Sequence, residues 1–148
     1  MYKIDKLQAY HSFTVMPKDC NFNKRGNSEV NDTLFGGKLM YEMDYAGAKI
    51  ARRATYGIDI DMIVTASTDR INFEKPAFIG DLITMEATIK AFGRSSIQIR
   101  IKVRREDLKG DVEQICSANM TFVTIKDGKS TPHGLSFENL IKDDNENN

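Results

Sequence analysis

At 148 residues, with 41% hydrophobic and 28% charged side chains, the chain has the length and composition of one globular domain with a modest core. Lysine plus arginine and aspartate plus glutamate number 21 each, so no global field of the kind that drives nucleic-acid binding exists. No stretch approaches the roughly 18 uninterrupted apolar residues of a membrane span, so neither nucleic acid nor membrane is an expected partner.

The opening, "MYKIDKLQAYHSF", lacks the apolar region of a secretory signal, which predicts a cytoplasmic protein with Cys20 and Cys116 as reduced thiols. A first strand is expected in "AYHSFTVM", ahead of Pro17. The next segment, "PKDCNFNKRGNSEVNDTLF", is polar and longer than the usual connection, as functional or disordered loops commonly are. In "GGKLMYEMDYAGAKIARRATYG", Leu39, Met43, Ala46, Ile50 and Ala54 recur at helical spacing, and Gly57 falls where a C-terminal cap belongs. The small residues Ala46, Gly47 and Ala48 let other backbone come close to this helix.

Four more strands follow. "MIVTASTDRINF" is rich in β-branched residues and ends at the breakers Pro76 and Gly80. "DLITMEATIKAF" and "RSSIQIRIKVRR" both alternate with period 2, the second setting Ile97, Ile99, Ile101 and Val103 against Gln98, Arg100, Lys102 and Arg104. Gly93 between them marks an antiparallel hairpin. "QICSANMTFVTI" puts Cys116, Ala118, Met120 and Phe122 on one face and stops at the turn "KDGK". Five strands and one long helix predict an α+β domain over residues 1–128, an antiparallel sheet curled around the helix. Residues 129–148 are left as a C-terminal tail, expected to be partly disordered because "KDDNENN" has almost no apolar content.

The chemistry concentrates in "NDTLFGGKLMYEMD", Asn31 to Asp44. Gly36 and Gly37 open the helix, where backbone N–H groups lack intrahelical partners and the dipole is positive. Without Cβ atoms they let a substrate carbonyl approach those groups. The same glycines also suit a helix that merely starts tightly against a sheet. Asp44 lies among apolar or small neighbours, where a carboxylate costs desolvation unless it has a partner or faces a cleft. Two readings stand at this point, a general base or nucleophile and a solvated carboxylate on the helix's open side. Seven residues separate Gly37 from Asp44, about 10 Å along the axis, too far to act on one carbonyl. If both act, a dimer must bring one subunit's Asp44 to the other subunit's Gly37.

These residues, with "VTASTDRINFEKPAFIGD" and "GRSSIQIRIKV", resemble the hotdog-fold acyl-CoA thioesterases that carry a G-G-x-x-[ML]-x-x-[MI]-D helix start. The resemblance covers about residues 12 to 125. It implies a five-stranded antiparallel sheet wrapped around one long helix, and hydrolysis of an acyl-CoA thioester to a carboxylate and coenzyme A. Asp44 matches the family's base or nucleophile, and a polar residue before the glycines, Asn31 or Thr33, helps hold the carbonyl or water; Asn31 is slightly favoured. Gly37 joins them as a carbonyl-polarising position. Gly36, Thr33, Ser67 and Phe35, which stands where many relatives have histidine, match substrate-lining positions. Arg94, Ser95 and Ser96 match a segment near the coenzyme's pantetheine and phosphates, although a plain turn arginine explains Arg94 as well.

The resemblance implies no cofactor, coenzyme A being part of substrate and product, and no metal set is present in the spacing of His and Cys. It implies at least a dimer, with tetramers and hexamers usual in the family. A non-catalytic acyl-CoA-binding sensor of the same fold is the alternative. A hotdog dehydratase needs a catalytic histidine near the helix, and His11 and His133 both lie far from it in sequence.

Overall fold

The computed structural model describes residues 4–21 and 32–146. Its elements are β1 (Gln8–Thr14), α1 (Gly36–Ala54), β2 (Met62–Phe73), β3 (Leu82–Phe92), β4 (Ser96–Glu106), β5 (Val112–Lys126), β6 (Lys129–Ser130) and α2 (Phe137–Glu146). A 3-10 turn, Pro17–Asp19, precedes the long loop.

The strands form one antiparallel sheet in the order β1-β3-β4-β5-β2, with β6 paired to β5. The alternation seen in the sequence becomes burial. Ile97, Ile99, Ile101 and Val103 of β4 are buried, as are Ile83, Met85, Ala87 and Ile89 of β3. This face curves around α1, whose Leu39, Met43, Ala46, Ile50 and Ala54 are buried against it. The result is the hotdog arrangement that the resemblance implies. Helix and sheet come close at Gly47, where a Cβ would stand 2.7 Å from a ring carbon of the buried Phe122.

The far face of the sheet meets water. Arg104 pairs there with Glu86 at 2.8 Å and Arg100 donates to Asn119 at 3.1 Å, while Arg105, next to Arg104 and therefore on the other face, pairs with Asp81 at 3.0 Å and Glu113 at 2.7 Å.

The helix ends differ. At the C-terminus Thr55 caps the carbonyls, its Oγ1 donating to Ala51 and Arg52 at 3.0 and 3.1 Å. Gly57 takes its positive φ of 82° two residues later, in the turn after the cap. At the N-terminus no side chain among the described residues caps the helix, and the Phe35 amide bonds to the Asp19 carbonyl.

The residues left as a tail are folded through 146. β6 extends β5 beyond the turn, and His133 is buried, its Nε2 donating to the Ser96 carbonyl at 2.9 Å while Nδ1 accepts from the Leu135 amide. α2 starts at a reciprocal pair in which Asn139 bonds the Ser136 amide and Ser136 bonds the Asn139 amide. Leu140 is buried, and Phe137 packs edge-on against Phe92 with centroids 5.1 Å apart. The polar composition of "KDDNENN" hid this helix because one leucine and one phenylalanine anchor it.

Candidate active site

Asp44 lies on the third turn of α1, half-buried. Its Oδ1 accepts a hydrogen bond from Thr65 of β2 at 2.6 Å, and among the described residues Oδ2 has no partner. The carboxylate opens onto a cleft of about 330 Å³ between α1 and β2. Gly37, Thr65 and Thr68 share that cleft, and Met40, Met43 and Met120 supply apolar wall. Asp44 is the single charged group among its described lining residues. Seven residues return a helix nearly to the same face, which is why Gly37 and Asp44 meet one cleft while staying about 10 Å apart along it.

At the helix start, no described side chain caps the first-turn N–H groups, so these donors remain for a ligand. Phe35 is exposed and its ring leans over Gly37, where a Cβ would come within 2.5 Å of it. Gly36 and Thr33 line an adjoining cleft of about 360 Å³ beside Phe73. The Thr33 hydroxyl accepts from the Asn21 side-chain amide at 2.8 Å, pinning the base of the long loop. Asn31 lies outside the described residues.

Ser67, Arg94, Ser95 and Ser96, also matched on resemblance, line neither cleft. Ser67 is exposed on β2, next to Thr68 and therefore on the opposite face. Plain period 2 would put Thr65 and Ser67 together, but the register with β5 shifts between them, so Thr65 and Thr68 share the cleft. The turn of Arg94, Ser95 and Ser96 is tied to the end of the domain. His133 takes the Arg94 and Ser96 carbonyls, and the Thr124 amide takes that of Ser95.

Sequence reasoning missed Thr65, whose signal, a threonine in a β-branched strand, is common to many positions that do nothing. It also missed a polar network on the other side of α1. Glu42 is buried there and accepts from His11 Nε2 at 2.5 Å and from Lys38 Nζ at 2.6 Å, with Asp19 3.7 Å from the same ammonium. A histidine thus does reach the helix, because β1 pairs with β3 and packs on α1. It reaches the wrong face for the cleft, since two residues turn a helix by about 200°. Burial raises the Glu42 carboxyl, but the bonds from Lys38 and His11 outweigh it and hold the group below the usual glutamate range.

Residues 31–111, which include the helix, most of the cleft lining and the β3–β4 hairpin, match the family model described as the thioesterase superfamily. The chain belongs to that superfamily. Among superfamily relatives, protein VdlD of Helicobacter pylori is 30% identical over 129 residues, covering 86% of this chain and 67% of its own. A hexameric thioesterase from Yersinia pestis, y2039, is 30% identical with a TM-score of 0.70, covering 85% of this chain and 94% of the other. An acyl-CoA hydrolase from Staphylococcus aureus, solved with butyryl coenzyme A, coenzyme A and coenzyme A disulfide, is 30% identical with a TM-score of 0.69 over 84% of this chain and 70% of the other.

Proposed function

We propose that this protein hydrolyses acyl-CoA thioesters, with Asp44 as general base or nucleophile and the N–H groups at Gly36 and Gly37 polarising the thioester carbonyl. The observation that carries this reading is the Asp44 carboxylate itself. Among the described residues it is the one charge lining a largely apolar cleft, held at Oδ1 by Thr65 and without a partner at Oδ2. A carboxylate so placed can take a proton from water or attack the carbonyl directly. The uncapped helix start offers donors where negative charge develops on the carbonyl oxygen. The hydrolase activity of the named S. aureus relative is of the same class.

The separation of Gly37 and Asp44 favours a site shared between two chains. β2 supports this. It is an edge strand of 12 residues with Met62 and Phe73 more than half exposed, and a long apolar edge is a template for pairing with another copy. The hexameric state of y2039 gives a precedent for self-association. Asn31 or Thr33 supplies the polar partner in this reading, the Thr33 hydroxyl accepting from the Asn21 side-chain amide and keeping its own proton to donate.

The test is release of free thiol from a panel of acyl-CoAs by the wild type and by Asp44→Asn, with circular dichroism to verify folding. A fall of roughly 10²- to 10⁴-fold in kcat fits a positioned base. Unchanged turnover removes Asp44 from the mechanism, and tight binding without release by the wild type favours the sensor.

A further inference from the structure

We infer that the C-terminal half of α1 carries a second subsite, a basic cleft that takes the phosphorylated nucleotide end of the thioester substrate. The inference rests on the hydrolase reading above and says where the non-reacting end of that substrate lies.

A cleft of about 310 Å³ opens on the outer face of α1, lined by Tyr45, Ala48, Lys49, Arg52, Arg53 and Tyr56. Three cations surround it in a protein of zero formal net charge. Among the described residues none of the three has a carboxylate partner. Lys49 donates to the Tyr10 carbonyl at 2.9 Å, which fixes its ammonium without neutralising it, and Arg52 lies 6.0 Å from the Tyr56 ring centroid. The carboxylates of the loop after the helix are engaged elsewhere, Asp59 with Lys126 and Asp61 with the Asp127 amide. Arg104 and Arg105 of β4 contrast with this, since both are paired with carboxylates. Arg52 and Arg53 complement the helix dipole at the last turn, which accounts for their sign. It does not account for an unpaired trio around a cavity walled by two exposed tyrosines.

The chemistry fits phosphates with an attached aromatic base. Guanidinium groups grip phosphate oxygens in a bidentate fork, and tyrosine faces stack a planar ring. Placement ties the cleft to the reacting centre. Arg52 lies eight residues beyond Asp44, about 12 Å along the axis and about 80° around it. Tyr41 and Tyr45, both exposed, lie on the helix surface between the two clefts. An extended pantetheine arm can bridge that span, placing the thioester at Asp44 and the phosphates at Arg52 and Arg53. The β3–β4 turn, where the resemblance puts the phosphates, offers Arg94 alone.

The experiment compares an acyl-CoA with the matching S-acyl pantetheine, which lacks the nucleotide, in the wild type and in Arg52→Gln/Arg53→Gln. The wild type should show a KM roughly ten- to a hundred-fold lower for the acyl-CoA, the range of one or two charge-assisted bonds, and the two KM values should converge in the variant. A variant that keeps the wild-type preference overturns the subsite. Should the variant not fold, the wild type still decides. Adenosine 3′,5′-bisphosphate should inhibit competitively with acyl-CoA and lose potency with salt, whereas absent or noncompetitive inhibition, the mark of a separate nucleotide site, refutes the assignment. If the wild type hydrolyses neither thioester, the hydrolase reading fails by itself. Calorimetric binding of adenosine 3′,5′-bisphosphate to the wild type and not to the variant then still supports the subsite, and equal binding to both overturns it.

Discussion

Glu42→Gln tests how α1, and with it Asp44, is held in place. Glu42 presents two acceptor oxygens to two donors, His11 Nε2 and Lys38 Nζ, with only about a tenth of its side chain exposed. Glutamine has the same shape but no charge, one acceptor and one NH₂ group, so Lys38 keeps only a neutral acceptor and His11 keeps a bond only by presenting an unprotonated Nε2 to the NH₂. The change takes the carboxylate charge out of both bonds in a site that water barely reaches, a combined loss of about 3 kcal/mol. For a domain of this size that lowers Tm by about 10 °C. The assay is urea or thermal unfolding at neutral pH. The pH dependence has a definite sign. Because the folded-state carboxyl is held below its ordinary value, its contribution is full above the unfolded-state pKa and is lost as pH falls through the folded value. The gap between wild type and variant should therefore be widest near neutrality and close in acid. A difference below about 0.5 kcal/mol at pH 7, or one that widens in acid, refutes the reasoning.

Thr65→Val removes the hydroxyl that orients Asp44 Oδ1, and kcat should fall about ten-fold with little loss of stability, as steady-state kinetics beside a melting curve would reveal. The two helix glycines should respond oppositely to alanine. At Gly37 the obstructing ring belongs to exposed Phe35 and can swing aside, so stability holds while kcat/KM falls as the carbonyl approach narrows. At Gly47 the obstruction is the buried Phe122 ring, so Gly47→Ala should cost about 1 kcal/mol net despite its better helix propensity, measured by urea denaturation. Burial pushes the Cys116 thiol up to about 11, so native protein at pH 8 should titrate only Cys20 with a thiol reagent, and Cys116 should react after unfolding.

The cleft and its carboxylate were partly legible in the sequence. Asp44 stood out because a carboxylate in an apolar helix needs a reason, and Gly37 because it lies two turns upstream. Thr65 was not legible, since an irregularity in β2 register changes which residues share the cleft, and nothing local announces it. Ser67, two positions on, fits an unbroken alternation and is turned away by that irregularity. His11 is likewise silent in sequence. Its partner Glu42 lies 31 positions away and meets it only because β1 packs on the helix.

What the chain determines by itself is local. Period-2 runs specify strands, a 3.6-residue stripe specifies the helix, and both follow from which side chains must leave water. The tertiary structure decided the order of the strands. β2 follows the helix in sequence yet crosses to pair with β5, and this puts Thr65 against Asp44 and leaves a long edge free. It also decided that the polar C-terminus folds, through a few contacts of Leu140, Phe137 and His133 with the β3–β4 end of the sheet. Periodicity reports each element's burial against an unspecified neighbour, whereas a site depends on which neighbour that is.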